Sequence, residues 1–165
     1  MRGNVVLIGM MGCGKTTVGK LLSRAMGRSF VDTDQAIEER LGRTIPDVFA
    51  REGEAFFRAR EEELAGELAR RRGLVIACGG GLPTRTGAIA PLKGSGTVIF
   101  LRRDPAEIYD KVSMSGRPLG QEGRAAFLTR YAAREPVYLS WADHVVEVQS
   151  TPGGTMRQIL EVLEP

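Results

Sequence analysis

The chain contains five short apolar runs, each of which predicts a β-strand. They cover residues 4–8, 29–31, 74–78, 97–101 and 145–148. Runs of this length, rich in Val, Ile and Leu, are typical of strands buried on both faces of a parallel sheet. Between the runs, apolar residues return at helical spacing, as Val18, Leu22 and Met26 do after the first strand. Strands that alternate with helices predict an α/β fold with one parallel sheet covered on both faces.

Capping residues indicate where the helices begin and end. Helices are predicted over residues 16–26, 36–41, 54–72, 124–134 and 152–163, the last of them capped by Thr151, and two more begin after Thr44 and Asp104. Thr44 is followed three positions later by an acidic residue, and Asp104-Pro105-Ala106-Glu107 has the form of a capping box with proline at the first helical position. Gly42 is expected to end the helix before it, and Pro136 to interrupt the helix that begins at Arg124.

The segment between the first strand and the first helix carries the clearest chemistry. Gly9-Met10-Met11-Gly12-Cys13-Gly14-Lys15-Thr16 fits G-x-x-x-x-G-K-[ST], the phosphate-binding loop. Glycines let backbone N–H groups converge on phosphate oxygens, and the helix N-terminus favours their negative charge. Lys15 is then expected to pair with the β- and γ-phosphates, and Thr16 to ligate Mg²⁺. The flanking strand and helix argue against a glycine-rich turn that fits by chance, so the sequence predicts a nucleoside triphosphate site.

Composition limits the class of protein. The chain has 165 residues, enough for one domain with a sizeable core. Its net charge of +3, from 23 basic and 20 acidic residues, is too balanced to indicate a nucleic-acid partner. No apolar run reaches the roughly 18 residues of a membrane span, and the first strand leaves no room for a signal peptide. Cys13 and Cys78 form no disulfide or metal-binding pattern and are interpreted as reduced thiols, so we expect a cytoplasmic protein.

Further candidate residues follow the strands. Asp32 and Asp34 come directly after the second strand, so they are expected at the carboxyl edge of the sheet, where α/β folds bind ligands. The three glycines at 79–81 follow the third strand and indicate a close approach of the backbone to another group, or a strained turn. Structural alternatives stay open: either aspartate as a helix N-cap, the glycines as a plain loop, and Arg58 as part of a solvated helix face.

The remaining motifs are more specific than the phosphate loop. They are Asp32-Thr33-Asp34, Phe57-Arg58 with Glu61, Gly79-Gly80-Gly81, Arg117-Pro118-Leu119 and Arg134. In order and spacing they resemble the shikimate kinase family, over practically the whole chain. The resemblance implies one P-loop kinase domain over residues 1–165, a three-layer α/β/α fold whose five-stranded parallel sheet has the order 2-3-1-4-5. It also implies that ATP phosphorylates the 3-hydroxyl of shikimate, a step toward chorismate and the aromatic amino acids.

The family's functional residues carry over by position. Catalytic roles are implied for Lys15, for Asp34 as the base of the acceptor hydroxyl, and for Arg117, which would come down with a mobile lid at about 113–123. Contacts to ATP are implied for Gly12, Cys13, Gly14, Lys15, Thr16, Thr17, Lys111, Arg117 and Pro152. Contacts to shikimate are implied for Asp34, Phe49, Phe57, Arg58, Glu61, Gly79, Gly80, Gly81 and Arg134, with a substrate-binding helical region at about 34–61. The metal is implied to be Mg²⁺, held by Thr16 and, through water, by Asp32.

Within the acceptor site, the resemblance implies a division of labour. Arg58 and Arg134 would clamp the substrate carboxylate and the ring hydroxyls together with the glycine amides. Phe49 and Phe57 would wall the ring, and Glu61 would orient Arg58. The partners implied are small molecules, shikimate and ATP, for an enzyme that we expect to be a monomer.

The nucleotide end departs from the family pattern. Many members carry an arginine that stacks on adenine before the lid, whereas Asp110 and Lys111 stand here, so a lysine stem is expected to cover the base. The loop at 149–152 would lie on its other side. Two alternatives remain: another small-metabolite kinase such as gluconate kinase, and a non-catalytic nucleotide-binding switch. The first would not need the two-arginine clamp, and the second could dispense with a base such as Asp34.

Overall fold

A parallel β-sheet forms the centre of the molecule. The computed structural model describes residues 3–114 and 123–164 of the chain. The strands are β1 (Asn4–Ile8), β2 (Ser29–Asp32), β3 (Leu74–Ala77), β4 (Gly96–Arg102) and β5 (His144–Glu147). Every pair is parallel and the order is β2-β3-β1-β4-β5. The expected fold class and strand order are confirmed.

Helices cover both sides of this sheet. They are α1 (Lys15–Met26), α2 (Thr33–Leu41), α3 (Ile45–Glu52), α4 (Glu54–Ala69), α5 (Thr86–Ser95), α6 (Pro105–Met114), α7 (Gly123–Trp141) and α8 (Pro152–Leu163). A single 3₁₀ turn, Leu82–Thr84, joins β3 to α5. Helix α1 packs against α8, and α4 packs against α5. Thr44 caps α3 as predicted, and Thr151 caps the predicted terminal helix, since each hydroxyl accepts a hydrogen bond from the backbone N–H three residues later.

Strand β1 is the most deeply buried strand and places the phosphate loop. It lies between β3 and β4, and Val5 to Ile8 are fully buried. Asn4 at its start is also buried, and its side chain is satisfied by Leu68 O, Arg71 O and Leu74 N–H. One asparagine thus ties the end of α4 to the start of β3. The loop after β1 therefore leaves the centre of the sheet's carboxyl edge from a rigid base.

Pro136 does not interrupt the helix that contains it, and that prediction is wrong. Helix α7 continues through Pro136 to Trp141. Proline removes one N–H donor and crowds the preceding turn, which disfavours a helix interior. Here the last turns of α7 are held by Tyr138, which is fully buried and donates from its hydroxyl to Gly80 O at 2.6 Å. Tertiary packing outweighs the local penalty.

Other boundaries also differ from the expected ones. Helix α5 was not predicted, because Gly87, Pro91 and Gly94 weaken its helical pattern; it forms because Ala88, Ile89 and Leu92 bury their side chains in the core. Helix α4 ends at Ala69 rather than at residue 72. Helix α2 begins at Thr33 rather than at residue 36.

The expected capping box at the start of α6 is replaced by a different set of contacts. Asp104 Oδ1 accepts from the N–H of Ala106, one residue earlier than a capping box requires, and Glu107 pairs with Arg103.

Candidate active site

The phosphate loop needs its glycines for two separate reasons. Gly9, Gly12 and Gly14 have φ values of 152°, 85° and 101°, a range that side chains disfavour. A Cβ on Gly9 would also lie 2.7 Å from the carbonyl oxygen of Leu101 at the end of β4. Gly14 is the N-cap of α1, so the loop ends directly in the first turn of that helix. This geometry joins strand, loop and helix N-terminus as an anion site requires.

Lys15 is held inside this loop. The residue is 8% exposed, and Nζ donates to Gly9 O at 2.7 Å and to Met10 O at 3.0 Å. The loop carbonyls therefore fix the ammonium group at the mouth of the anion site. A fixed cation at this point stabilises negative charge on a phosphate group without the cost of ordering a long side chain.

Thr16 and Asp32 bring two oxygen atoms together beside the loop. Thr16 Oγ1 donates to Asp32 Oδ2 at 2.7 Å, while Asp32 Oδ1 accepts from Gln35 N–H at 3.1 Å and caps α2. The N-cap interpretation of Asp32 is thus confirmed, and the same carboxylate also faces the loop. Hydroxyl and carboxylate oxygens are the ligands that Mg²⁺ prefers.

Asp34 lies where two cavities meet. The phosphate cavity, of about 300 Å³, is lined by the loop, Lys15, Asp32 and Asp34. The acceptor cavity, of about 260 Å³, is lined by Asp34, Arg58 and Arg134 among others. Burial and the neighbouring charge of Asp32 raise the pKa of Asp34 to about 6, and Lys15 and Arg58 oppose the rise. A carboxylate with this pKa is still ionised at neutral pH and accepts a proton more readily than an ordinary aspartate.

The three glycines after β3 lie close to side chains that were expected in the site. A Cβ on Gly79 would clash with the carboxylate of Asp34, and one on Gly81 would lie 2.5 Å from an Arg58 guanidinium nitrogen. At Gly80 the nearest side-chain atom is Arg134 Nη1, 3.4 Å away. Thus the glycines are more than a plain loop, because Gly79 and Gly81 leave room for Asp34 and Arg58, which line the acceptor cavity.

Arg58 does not belong to a solvated helix face. Its side chain is 11% exposed and donates to Glu61 Oε1 at 2.5 Å and to Glu54 Oε1 at 3.3 Å. Glu61 is 1% exposed, and its Oε2 has no hydrogen-bond partner among the described residues. Burial raises the pKa of Glu61, and the pairing with Arg58 opposes the rise. Glu61 therefore holds the Arg58 guanidinium at the cavity wall.

The acceptor cavity also has an apolar side and a residue that the sequence interpretation missed. Phe49 and Phe57 line it with ring centroids 5.0 Å apart. Arg130 lines it as well, one helical turn before Arg134 on α7. The spacing of four residues between these two arginines was the available signal, once the helix itself was recognised.

A third and larger cavity lies behind the phosphate loop. Its volume is about 660 Å³. The residues that line it and that were expected at the nucleotide are Gly12, Cys13 and Gly14 of the loop, Thr17 of α1, Lys111 and Pro152. Gln149 and Ser150 line it from the loop after β5, as expected for the far side of the base. Arg103, which the sequence interpretation missed, completes the wall at the end of β4.

Some expectations fall outside this geometry. Arg117 and most of the proposed lid at 113–123 lie outside the described residues.

Cys13 and Cys78 are buried free thiols, as interpreted from the sequence. Across residues 3–114 and 123–164, no helix combines the length and apolar character needed to cross a membrane.

Comparisons with known proteins agree with the geometry. The family model described as shikimate kinase matches residues 11–164. A shikimate kinase of Moorella thermoacetica is 42% identical over 170 residues, which cover 99% of this chain and 96% of that protein. The structure of the shikimate kinase of Acinetobacter baumannii in complex with shikimate superposes with a TM-score of 0.89 and 36% identity, covering 98% of this chain and 92% of the other.

Gluconate kinase, the alternative enzyme considered from the sequence, is represented by a structure with lower similarity to this chain. A gluconokinase of Sinorhizobium meliloti covers 96% of this chain and 90% of its own, with a TM-score of 0.57 and 18% identity. This likeness extends to the fold alone.

Proposed function

Because this chain belongs to the shikimate kinase family, we propose that it transfers the γ-phosphoryl group of ATP to the 3-hydroxyl of shikimate. The products are shikimate 3-phosphate and ADP, on the route to chorismate and the aromatic amino acids. The observation that carries this proposal is the position of Asp34, which lines both the phosphate cavity and the acceptor cavity. A hydroxyl bound in one cavity and a phosphoryl group bound in the other would meet at this carboxylate.

The residues around Asp34 supply what phosphoryl transfer requires, which is alignment and neutralisation of charge. Asp34 holds the acceptor hydroxyl and accepts its proton as the oxygen attacks phosphorus. Lys15 and the loop amides stabilise the charge on the phosphate oxygens. Arg117 is proposed to approach the phosphates with the lid at 113–123.

The acceptor cavity is suited to a small ring that carries one carboxylate. Arg58 and Arg134 are proposed to bind that carboxylate, with Glu61 fixing Arg58 by the 2.5 Å pair. Phe49 and Phe57 are proposed to pack on the ring, and the amides of residues 79–81 to meet its hydroxyl groups. Guanidinium and carboxylate form bidentate pairs, so this arrangement favours acids over neutral sugars.

We propose Mg²⁺ as the metal that accompanies ATP. Thr16 and Asp32 offer two oxygen atoms, and Mg²⁺ is commonly held by one or two protein oxygens plus phosphates and waters. When bound, Mg²⁺ neutralises charge on the β- and γ-phosphates.

The chain is further proposed to act as one kinase domain over residues 1–165, with a substrate-binding helical region at about 34–61. A cytoplasmic monomer is proposed, and the free thiols of Cys13 and Cys78 fit a reducing compartment. Light scattering of the purified protein with and without substrates measures the oligomeric state.

Release of ADP with a panel of acceptors tests the reaction. We expect turnover with shikimate and MgATP, and only background rates with gluconate or a nucleoside monophosphate. Removal of Mg²⁺ by a chelator should abolish turnover, and its replacement should restore it. Faster turnover with gluconate would replace the acceptor, and ATP hydrolysis that ignores every acceptor would favour the nucleotide-binding switch.

A further inference from the structure

Two neighbouring arginines at the end of β4 take opposite directions. Arg102 pairs with Glu147 of β5, with Nη2 2.5 Å from Oε1, and its side chain is 40% exposed. Arg103 pairs with Glu107 of α6, with Nη2 3.0 Å from Oε1, and its side chain is only 16% exposed. Arg102 is the last residue of β4, and Arg103 is the first residue after it. Arg103 lines the 660 Å³ cavity behind the phosphate loop, and Arg102 does not.

The residues that line this cavity indicate which part of a nucleotide it binds. It shares Gly12, Gly14 and Thr17 with the phosphate cavity. The phosphate cavity is also lined by Lys15, Thr16, Asp32 and Asp34, and none of these four residues lines the larger cavity. The larger cavity therefore begins where the phosphate-binding groups end, and a bound nucleotide would place its nucleoside there.

We propose that Arg103 is a nucleotide-binding residue whose guanidinium plane packs on the purine base, and that Glu107 is a positioning residue that fixes this plane. The inference rests on the proposed ATP site and deepens it. A guanidinium is flat and weakly hydrated, so it stacks on aromatic rings, provided that its orientation is held. The ion pair with Glu107, four residues later, supplies that restraint. Lys111 lines the same cavity but is exposed, and its ammonium group has no plane to stack.

Titration of Arg103→Ala with ADP and with pyrophosphate, against Arg102→Ala as the matched control, tests the contact. We expect Arg103→Ala to weaken ADP binding about three- to thirtyfold, the range for a guanidinium on a ring. Pyrophosphate has no base, so its affinity should not change. Arg102→Ala should leave both affinities at the parent value. Arg103→Lys should lose most of the ADP affinity that Arg103→Ala loses, because lysine retains the charge but has no planar group. The KM for shikimate should stay constant in every variant.

Each contrary result is distinct. Equal losses for ADP and pyrophosphate would make Arg103 a phosphate ligand and overturn the proposal. Parent affinity in both Arg103→Ala and Arg103→Lys would also overturn it, while leaving the proposed function intact. A parent protein that binds neither ADP nor pyrophosphate would instead remove the ATP site itself. Melting curves for all variants identify a folding defect, and Arg103→Lys then carries the test alone.

A double-variant cycle tests the role of Glu107. Glu107→Ala alone should weaken ADP binding by about two- to fivefold, the range of a partly exposed ion pair. Because Glu107 acts through Arg103, the double variant Arg103→Ala/Glu107→Ala should bind ADP no more weakly than Arg103→Ala. Losses that multiply would show that Glu107 contacts the nucleotide independently, and they would overturn its role as a positioning residue.

Discussion

At the scale of single residues, Asp34 carries a charge that its surroundings oppose. Burial and Asp32 raise the pKa of Asp34 from 3.8 to about 6, although Lys15 and Arg58 favour the ionised form. Between these two pH values the folded protein binds a proton more tightly than the unfolded chain does. The free energy of unfolding therefore falls as pH rises through this window, and at neutral pH the ionised carboxylate costs stability. The carboxylate that is proposed as the base is therefore held at the expense of stability.

Replacement of this carboxylate should separate activity from stability. Asp34→Asn keeps the shape but cannot accept the hydroxyl proton, so kcat should fall about 10²- to 10⁴-fold. At pH 7 to 8 its free energy of unfolding should rise by about 1–3 kcal/mol, and this gain should disappear near pH 4. Denaturant titrations at both pH values, beside steady-state kinetics, make the comparison. Unchanged turnover would take the role of base away from Asp34.

The pH profile should report the same group. We expect kcat/KM to fall about tenfold per pH unit below pH 6, because the protonated carboxyl is inactive. Glu38 adds to the raised pKa of Asp34, so Glu38→Gln should move this limb to lower pH. Glu39→Gln, a neighbour on the exposed face of α2, is the control and should not move it. An acid limb that coincides with unfolding in both variants would mean that the profile measures stability rather than the base.

At the scale of elements, the glycine turn at residues 79–81 after β3 lets the backbone lie close to several side chains of the proposed site. Gly79 lies beside Asp34, Gly80 beside Arg134 and Gly81 beside Arg58. The N–H of Gly79 also donates to the buried Thr33 hydroxyl at 2.9 Å. The carbonyl of Gly80 accepts from Tyr138. One short turn therefore contacts α2, α4 and α7, which line the acceptor cavity together with α3.

Alanine in this turn should affect different steps at different positions. Gly79 and Gly81 have no left-handed conformation, so the cost of alanine is steric. Gly79→Ala should displace the Asp34 carboxylate and lower kcat, and a misplacement of about 1 Å is worth up to roughly 100-fold. Gly81→Ala should displace Arg58 and raise the KM for shikimate.

A glycine in open space provides the control. Gly66→Ala in α4 meets nothing within 4 Å, so activity should hold and the free energy of unfolding should rise by about 0.5–1 kcal/mol. If all three variants lost activity alike, the steric account of the turn would be wrong.

At the scale of the whole molecule, the fold brings together residues from distant parts of the chain. Arg58 lies on α4 and Arg134 on α7, yet both line one cavity. Charged hydrogen bonds contribute roughly 1.5–3 kcal/mol each, so loss of Arg134 should raise the KM for shikimate about ten- to a hundredfold. The KM for ATP should scarcely change, because Arg134 is not among the residues that line the nucleotide cavities.

The design uses Arg134→Ala, Arg134→Lys and a control in Arg60→Ala. Arg134→Lys should rescue little, since an ammonium group cannot form the bidentate pair. Arg60 pairs with Glu63 on α4, away from the acceptor cavity, and its loss should leave both KM values unchanged. Shikimate methyl ester should be a poor acceptor for the parent and insensitive to Arg134→Ala. Equal use of acid and ester by the parent would exclude a carboxylate clamp.

The sequence by itself determined what depends on neighbours along the chain. The five strands, the phosphate loop and the caps at Thr44 and Thr151 follow from local patterns, because turn chemistry and buried β-branched runs act over a few residues. The resemblance added the strand order, which the sheet confirms.

Only the tertiary structure decided the rest. Helix α5 and the continuation of α7 past Pro136 depend on contacts with distant residues, which local propensity does not record. The same holds for the site: Asp34 lines two cavities, and Arg103 rather than Arg102 lines the 660 Å³ cavity, because packing sets the position of each side chain. A sequence supplies the chemical groups and their local geometry. The free energy of burying several elements together decides which of those groups face one another.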